Sequence, residues 1–250
     1  VRARKWVGTL LPADLYAPTG EAVLVPYDSR RHESERVMDL LRLAGFGTGG
    51  AELYYPLSAA ARQGASGLLR EAGIGEDRPF AVLCPGAGWP GKQWPPDRFA
   101  ELGGRLQRER GLAVVLLGSA GEQALCAEVA GRMQPPGISL AGRTTLDQLA
   151  AVISRATLFV GNDSGPMHLA ACFETPAVVF FGPTVASKWA PRYPASRCIQ
   201  HGDCQGCISW HLRAACLHGN RCMKAISAEE AWQAVLAVLD RRQERKDAYP

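Results

Sequence analysis

The sequence predicts an α/β protein built on a Rossmann-like, doubly wound parallel sheet. From Phe80 onward, short apolar runs alternate with segments that carry apolar residues at helical spacing. The apolar runs are nearly continuous, which is typical of strands buried on both faces of a parallel sheet. None of them approaches the roughly 18 residues that a membrane-spanning helix needs. The predicted class is therefore an α/β protein with one complete sheet domain.

The predicted elements follow one another in regular alternation. The predicted strands cover residues 80–84, 112–118, 138–142, 157–160 and 176–182. The predicted helices cover residues 95–110, 121–133, 144–156, 164–174 and 227–242. Proline and aspartate open the first helix, a threonine caps the third, and Ser227 with Glu230 predicts a capping box at the last. Four loops, PGAGWPGK, GSAGE, AGRTT and GNDSGP, follow strands, so they lie at the sheet edge where such folds bind ligands.

The first 75 residues have a different pattern. Residues 21–47 predict one strand and one helix, whose apolar stripe is Val37, Leu40, Leu41 and Ala44, and a second helix follows. These are too few strands for a complete domain. We therefore interpret residues 1–75 as the C-terminal part of an N-terminal domain, and residues 76–250 as the complete sheet domain, with a cysteine-rich loop at 198–222.

Composition and charge narrow the class of partner. Hydrophobic residues make up 47% of the chain, charged residues 21%, and the net charge is +4, which is too modest and dispersed to favour nucleic acid. The densest basic run comprises Arg241, Arg242, Arg245 and Lys246. It predicts a solvated helix end or, alternatively, peripheral contact with anionic lipid. The first residues lack the pattern of a signal peptide, so a cytoplasmic protein is expected.

The stretch GNDSGPMHLA (residues 161–170) predicts an anion site. Its helix begins near Ser164, so backbone N–H groups and the helix dipole face the strand end, with His168 one turn further on. Asp163 would repel phosphate, so sugar hydroxyls are its more plausible partners. The alternative is purely structural, with Asp163 as a helix cap and His168 as a core histidine.

The loop PGAGWPGK (residues 85–92) predicts a second part of the same site. Its glycines allow close approach of a ligand to the backbone, and Lys92 offers a positive charge to a leaving phosphate. Alternatively it is a surface loop with a solvated lysine. Glu122 and Thr144 lie at the same sheet edge, although a glutamate in a first turn is commonly a dipole partner and a threonine a cap.

Five of the eight cysteines lie between Cys198 and Cys222. The candidate metal ligands in this region are Cys204, Cys207, Cys216 and Cys222. The first two form a C-x2-C pair, and four thiolates would complete a closed tetrahedral site for zinc or iron that braces a long loop. Cys198, His201, His211 and His218 are alternative ligands, and disulfides or unpaired thiols are alternative states. The other cysteines, Cys84, Cys126 and Cys172, are expected to be core thiols.

Together these motifs resemble glycosyltransferase family 9, the ADP-heptose heptosyltransferases of lipopolysaccharide assembly. The resemblance is carried by PGAGWPGKQWPPDRFAEL, by the run from GRTTLDQ to NDSGPMHLAA, by FGPT and by the CQGC segment, and covers about residues 80–240. It implies a GT-B fold, in which two Rossmann-like domains face a cleft and the C-terminal one holds the nucleotide sugar.

The resemblance also implies roles for individual residues. The positions that match contacts to ADP-heptose are Ala87, Gly88, Lys92, Glu122, Thr144, Asp163, Ser164, Gly165 and His168. Ser164, Gly165 and His168 would hold the diphosphate, and Lys92 would stabilise its charge. Glu122 and Thr144 would lie near adenosine, and Asp163 would hold sugar hydroxyls.

The implied reaction is inverting, metal-independent transfer of a heptosyl group from ADP-heptose to a lipopolysaccharide core. In the family the general base lies early in the N-terminal domain, and no segment of this sequence matches that region. The alternative is a non-catalytic nucleotide-sugar-binding or assembly module. The cysteines also resemble the autotransporter heptosyltransferases, which act on protein, so lipid and protein acceptors and a homo-oligomer all stay open.

Overall fold

The computed structural model describes residues 5–10, 21–26, 28, 31–50, 52–202, 216 and 218–248. The chain divides into two compact units, Val1–Glu52 with Ser187–Trp189, and Leu53–Ala186 with Ala190–Pro250. Within the described residues, no helix combines the length and apolarity needed to cross a bilayer.

Up to residue 52, the described part of the first unit contains two parallel strands and one helix. Strand β1 (Lys5–Leu10) pairs with β2 (Glu21–Pro26), and α1 (Glu33–Leu43) follows. The sequence predicted β2 and α1 but not β1. The predicted apolar stripe of α1 is not buried, since Val37 and Leu41 are 46% and 39% exposed.

The second unit is built on six parallel strands. They are β3 (Phe80–Cys84), β4 (Ala113–Leu116), β5 (Ile138–Ser139), β6 (Leu158–Asn162), β7 (Ala177–Phe181) and β8 (Ser196–Gln200). Their order is β5-β4-β3-β6-β7-β8. The chain first builds outward from β3 in one direction and then returns to its other side with β6. This doubly wound order confirms the predicted fold and creates a switch point between β3 and β6.

Helices connect and flank the strands. They are α2 (Ala59–Glu71), α3 (Pro96–Arg110), α4 (Gln123–Arg132), α5 (Leu146–Arg155), α6 (Gly165–Cys172), α7 (Ala186–Trp189), α8 (Arg221–Ala225) and α9 (Ala228–Ala248). Ser227 caps α9 by accepting a hydrogen bond from Glu230 N at 3.1 Å. The carboxylate of Glu230, however, contacts the His201 ring at 2.7 Å instead of completing the expected capping box.

Helix α2 belongs to the second compact unit. Its apolar face, Ala61, Ala65 and Leu69, is buried, and α2 packs against α5 of the sheet unit. A guanidinium nitrogen of Arg155 donates to the hydroxyl of Ser66 at 2.9 Å across this contact. The apolar face of α2 is therefore buried against the sheet unit.

Candidate functional site

Two of the predicted loops meet at the switch point of the sheet. The β3–α3 loop (residues 85–95) leaves the end of β3, and the β6–α6 loop (residues 163–164) leaves the end of β6. Because β3 and β6 pair in parallel, with Cys84 opposite Gly161, both loops begin side by side at the same edge. In doubly wound sheets this crevice is where ligands bind.

Lys92 and Asp163 form the central contact between these loops. The Nζ atom of Lys92 lies 2.7 Å from Oδ2 of Asp163, and the hydroxyl of Thr184 donates to the same oxygen. Only 8% of the Asp163 side chain is exposed, compared with 22% for Lys92. A carboxylate so deeply buried needs a cation and hydrogen bonds. The structure thus joins two residues that the sequence assigned to different parts of a ligand.

Thr184 contacts the site, although the sequence did not single it out; it is the last residue of the FGPT motif. It lies three residues beyond β7, at the same carboxyl edge as the two loops. The sequence could have indicated Thr184, because any hydroxyl residue just after a parallel strand is a candidate site residue. Its partner, 21 positions away in the chain, could not be predicted without the fold.

The start of α6 has open space around Gly165. Gly165 is exposed, and a side chain placed on it would meet no atom within 4 Å. Pro166 has no N–H, and the N–H of Met167 donates to Ser164 O at 3.1 Å. The Ser164 hydroxyl donates back to Asn162 O at 3.2 Å, so it does not cover the helix end. His168 lies half-buried in the first turn.

Glu122 is held beside the β3–α3 loop by a capping box. Its Oε2 atom accepts hydrogen bonds from Ser119 N at 2.7 Å and from the Ser119 hydroxyl at 2.8 Å. Its Oε1 atom lies against Gly86, where an added Cβ would come within 1.8 Å of it. A side chain at position 86 would therefore displace the Glu122 carboxylate. The S-x-x-E spacing of Ser119 and Glu122 was a sequence signal for this cap.

Thr144, Ala87 and Gly88 follow strands β5 and β3 at the same edge of the sheet. The cap of α5 is Thr145, which accepts from Gln148 N at 3.2 Å, so Thr144 precedes the helix and is half-buried. Ala87 is half-buried and Gly88 is exposed, with open space around Gly88. No direct contact among Thr144, Ala87 and Gly88 is described, so the fold brings them to one edge without linking them.

The end of the cysteine-rich region and the residues that follow it contact the β3–α3 loop. The Asn220 side chain donates to Pro90 O at 3.3 Å, and the Trp94 indole N–H donates to Ile226 O at 2.9 Å. Cys222 is buried, and its sulfur packs against Gly182, where an added Cβ would lie 3.0 Å from it. The end of the cysteine-rich region is therefore in contact with two loops of the site.

Two of the four predicted metal ligands lie within the described residues. Cys204 and Cys207 lie outside the described residues, Cys216 is half-buried and Cys222 is buried. Among the residues that are described, no three histidine, cysteine or acidic side chains are grouped as metal ligands would be. Cys84 and Cys126 are buried as predicted, whereas Cys172 is only half-buried. Burial raises the pKa of the Cys84 thiol, and that of Cys126 to about 12.

In doubly wound α/β proteins, a loop and a helix start at the switch point of the sheet form the usual place for a ligand. The family model of glycosyltransferase family 9 (heptosyltransferase) matches residues 21–217. The chain therefore belongs to glycosyltransferase family 9, as the sequence motifs predicted.

Individual relatives match parts of the chain. Lipopolysaccharide heptosyltransferase 2 of Salmonella typhimurium is 34% identical over 138 residues, which cover 53% of this chain and 39% of the relative. The structure of a family 9 glycosyltransferase from Veillonella parvula superposes with a TM-score of 0.76 at 23% identity, over 93% of this chain and 67% of that one. The alignments to the first curated relatives span only a third to half of those proteins' length.

Two more solved structures share the fold. ADP-heptose lps heptosyltransferase II of E. coli has a TM-score of 0.69 at 24% identity, over 88% of this chain and 66% of that one. The dodecameric, iron-containing heptosyltransferase TibC, solved with ADP-D-beta-D-heptose, has a TM-score of 0.51 at 15% identity, over 65% and 45%. These likenesses confirm the α/β fold of GT-B type.

Proposed function

We propose that this chain binds ADP-heptose at the β3–β6 switch point and is a glycosyltransferase that transfers the heptosyl group to a lipopolysaccharide core. Membership of family 9 supports the reaction class. The observation that carries the site is the meeting of the Lys92 loop, Asp163 and the open start of α6 at one point of the sheet edge.

In this proposal the diphosphate lies at the start of α6. The exposed Gly165 N–H and the helix dipole attract it, and Ser164 and His168 flank it. Lys92 carries three ammonium protons, of which one is directed at Asp163. The others remain for phosphate oxygens, so Lys92 bridges Asp163 and the diphosphate and stabilises the leaving ADP.

Asp163 is proposed to hold the sugar. Lys92 and Thr184 both bind its Oδ2 atom, and within the described part of the chain Oδ1 has no hydrogen-bond partner. A carboxylate oxygen anchored in this way is a fixed acceptor for a sugar hydroxyl. Glu122 and Thr144 are proposed to lie near adenosine, with Ala87 and Gly88 letting the ligand approach the backbone.

The proposed transfer is inverting. The acceptor oxygen attacks the anomeric carbon while the bond from that carbon to the diphosphate oxygen breaks, and ADP leaves with the electron pair. A general base must take the proton of the acceptor hydroxyl. The described residues near Lys92 and Asp163 are proposed to bind the donor, and none of them is assigned as the general base.

A glycine substitution tests the placement of the diphosphate. Gly165→Val should weaken binding of ADP and ADP-heptose by at least about tenfold, because the side chain fills the space in front of the helix start. Calorimetry on the 250-residue chain measures this. Gly131→Val is the matched control, since Gly131 also lies in a helix with open space around it. Absence of ADP and ADP-heptose binding to the wild-type chain would contradict the function itself.

We also propose a structural zinc or iron ion at Cys204, Cys207, Cys216 and Cys222. The C-x2-C pair supports it, as does the likeness to TibC, which is an iron-containing heptosyltransferase. Close to one equivalent of zinc or iron is expected by elemental analysis. Cys84 and Cys126, held protonated by burial, should stay unreactive in a thiol titration that follows metal removal. Less than about half an equivalent in a folded protein would refute the site.

The cellular location of the proposed reaction depends on the acceptor. A lipid A-core acceptor would place the protein at the cytoplasmic face of the inner membrane, where the basic run from Arg241 to Lys246 is available for peripheral contact. A protein acceptor and a homo-oligomer, as the dodecamer of TibC suggests by analogy, are the alternatives. Assaying heptose transfer to lipid and to protein acceptors distinguishes the two acceptor classes.

A further inference from the structure

We propose that Asn162 is a positioning residue that fixes the β3–α3 loop, and through it Lys92, against Asp163. This inference rests on the proposed function, since Lys92 matters only if the site binds a diphosphate. Asn162 is the last residue of β6 and is fully buried. Buried polar residues are rare in the described core, where Asn162, Asp163 and Thr175 are the ones found.

The Asn162 amide binds both ends of the loop. Its Nδ2 atom donates to Pro85 O at 2.8 Å and to Gly86 O at 3.2 Å, where the loop begins. Its Oδ1 atom accepts from Trp94 N at 3.0 Å, where the loop ends. One side chain therefore binds both ends of the loop, Pro85 and Trp94, which are 9 positions apart in the sequence.

The chemistry requires an amide at this position. Only a carboxamide offers two N–H donors and a carbonyl acceptor in one plane. An aspartate would set a carboxylate against two carbonyl oxygens, and a leucine would leave buried Pro85, Gly86 and Trp94 backbone groups without partners. The side chain is thus matched to three backbone groups of the loop and has no other described task.

Lys92 depends on this closure. It ends the 3-10 turn Pro90–Lys92, between the two points that Asn162 binds, and its Nζ reaches the residue next to Asn162. Trp94 has a second anchor, because its indole N–H donates to Ile226 O and its ring packs on Phe99 and Phe180. Loss of Asn162 should therefore release residues 85–93 while Trp94 stays in the core, so the position of Lys92 changes more than the fold.

A double-mutant cycle with Lys92 tests the inference, because a residue that acts through Lys92 loses its effect when Lys92 is absent. In the full 250-residue chain, Asn162→Ala should raise the Kd for ADP about tenfold. In the Lys92→Met background the same change should raise it by a clearly smaller factor, because only the loop backbone at Ala87 and Gly88 is then displaced from the ligand. Calorimetry with ADP measures all four proteins.

Thr175→Val is the matched control for loss of a buried hydrogen bond. Thr175 is 3% exposed and donates to Ile153 O at 3.0 Å, away from the loop. It should change the Kd for ADP less than about twofold in either background. If Asn162→Ala does not fold, Asn162→Ser, which keeps one donor and one acceptor, enters the same cycle.

The outcomes separate the inference from the function on which it rests. Equal fold-changes in both backgrounds, or an unchanged Kd for Asn162→Ala, would overturn the positioning role while leaving ADP binding intact. Hydrogen exchange adds a readout that a global loss of stability would not produce. Exchange should accelerate in residues 85–93 and stay unchanged in β7, whereas uniform acceleration would overturn the inference.

Discussion

Replacement of Lys92 by methionine should weaken both the fold and ADP binding. The substitution leaves the Asp163 carboxylate buried with Thr184 as its described donor. We expect the free energy of unfolding to fall by about 1–3 kcal/mol, because a buried charge without its counter-ion is costly. The Kd for ADP should rise by an amount that corresponds to about 1–3 kcal/mol, the scale of a charge-assisted contact.

Adding Asp163→Asn separates the two effects. The double variant removes the unpaired charge, so its free energy of unfolding, measured with urea, should recover most of the loss. ADP binding, measured by calorimetry, should stay weak. The single Asp163→Asn variant is the control. It frees the Lys92 ammonium for phosphate and removes the negative charge of Asp163, which repels the diphosphate. ADP should therefore bind to this variant at least as tightly as to wild type. A double variant no more stable than Lys92→Met would contradict the ion pair.

Truncation of Trp94 should have the largest effect on stability. The ring is fully buried, with its centroid 5.0 Å from that of Phe99 and 4.2 Å from that of Phe180. We expect Trp94→Ala to lower the free energy of unfolding by about 3–5 kcal/mol, because the side chain leaves a cavity between α3 and the sheet. Urea unfolding measures the change against a typical total of about 5–15 kcal/mol.

Trp94→Phe is the matched control for that change. It keeps most of the buried ring and loses the indole N–H, while Ile226 O still accepts from the Arg98 guanidinium. It should cost only about 1 kcal/mol. Its ADP affinity should match wild type, because the backbone N–H of Trp94 still binds Asn162. A cost below about 1 kcal/mol for Trp94→Ala would show that the ring is not part of the core.

The sequence predicted the sheet well where strands are buried on both faces. The run FAVLC matches β3, and AVVFF forms β7, since such strands have no polar positions to obscure the pattern. The edge strand β8 has the sequence SRCIQ, with one buried residue, Ile199. The sequence did not predict β8 as a strand. An edge strand buries less apolar surface, so it lacks the continuous apolar run that marks the inner strands.

The sequence could predict where the site lies in the fold, but not which of its residues contact one another. Loops that follow parallel strands must share one edge, so the sequence could group Lys92, Glu122 and Asp163. The pairing of Lys92 with Asp163 joins residues 71 positions apart, and the Asn162 tether depends on the path of the loop backbone. Neither follows from residue type, because both arise from packing that only the folded chain defines.

The most direct test of the central claim is a crystal structure of the 250-residue chain with ADP. We expect the diphosphate at the start of α6, within hydrogen-bond distance of Gly165 N and Lys92 Nζ, with Lys92 still in contact with Asp163. Density for ADP elsewhere on the sheet edge, or a diphosphate that touches neither Gly165 nor Lys92, would contradict it.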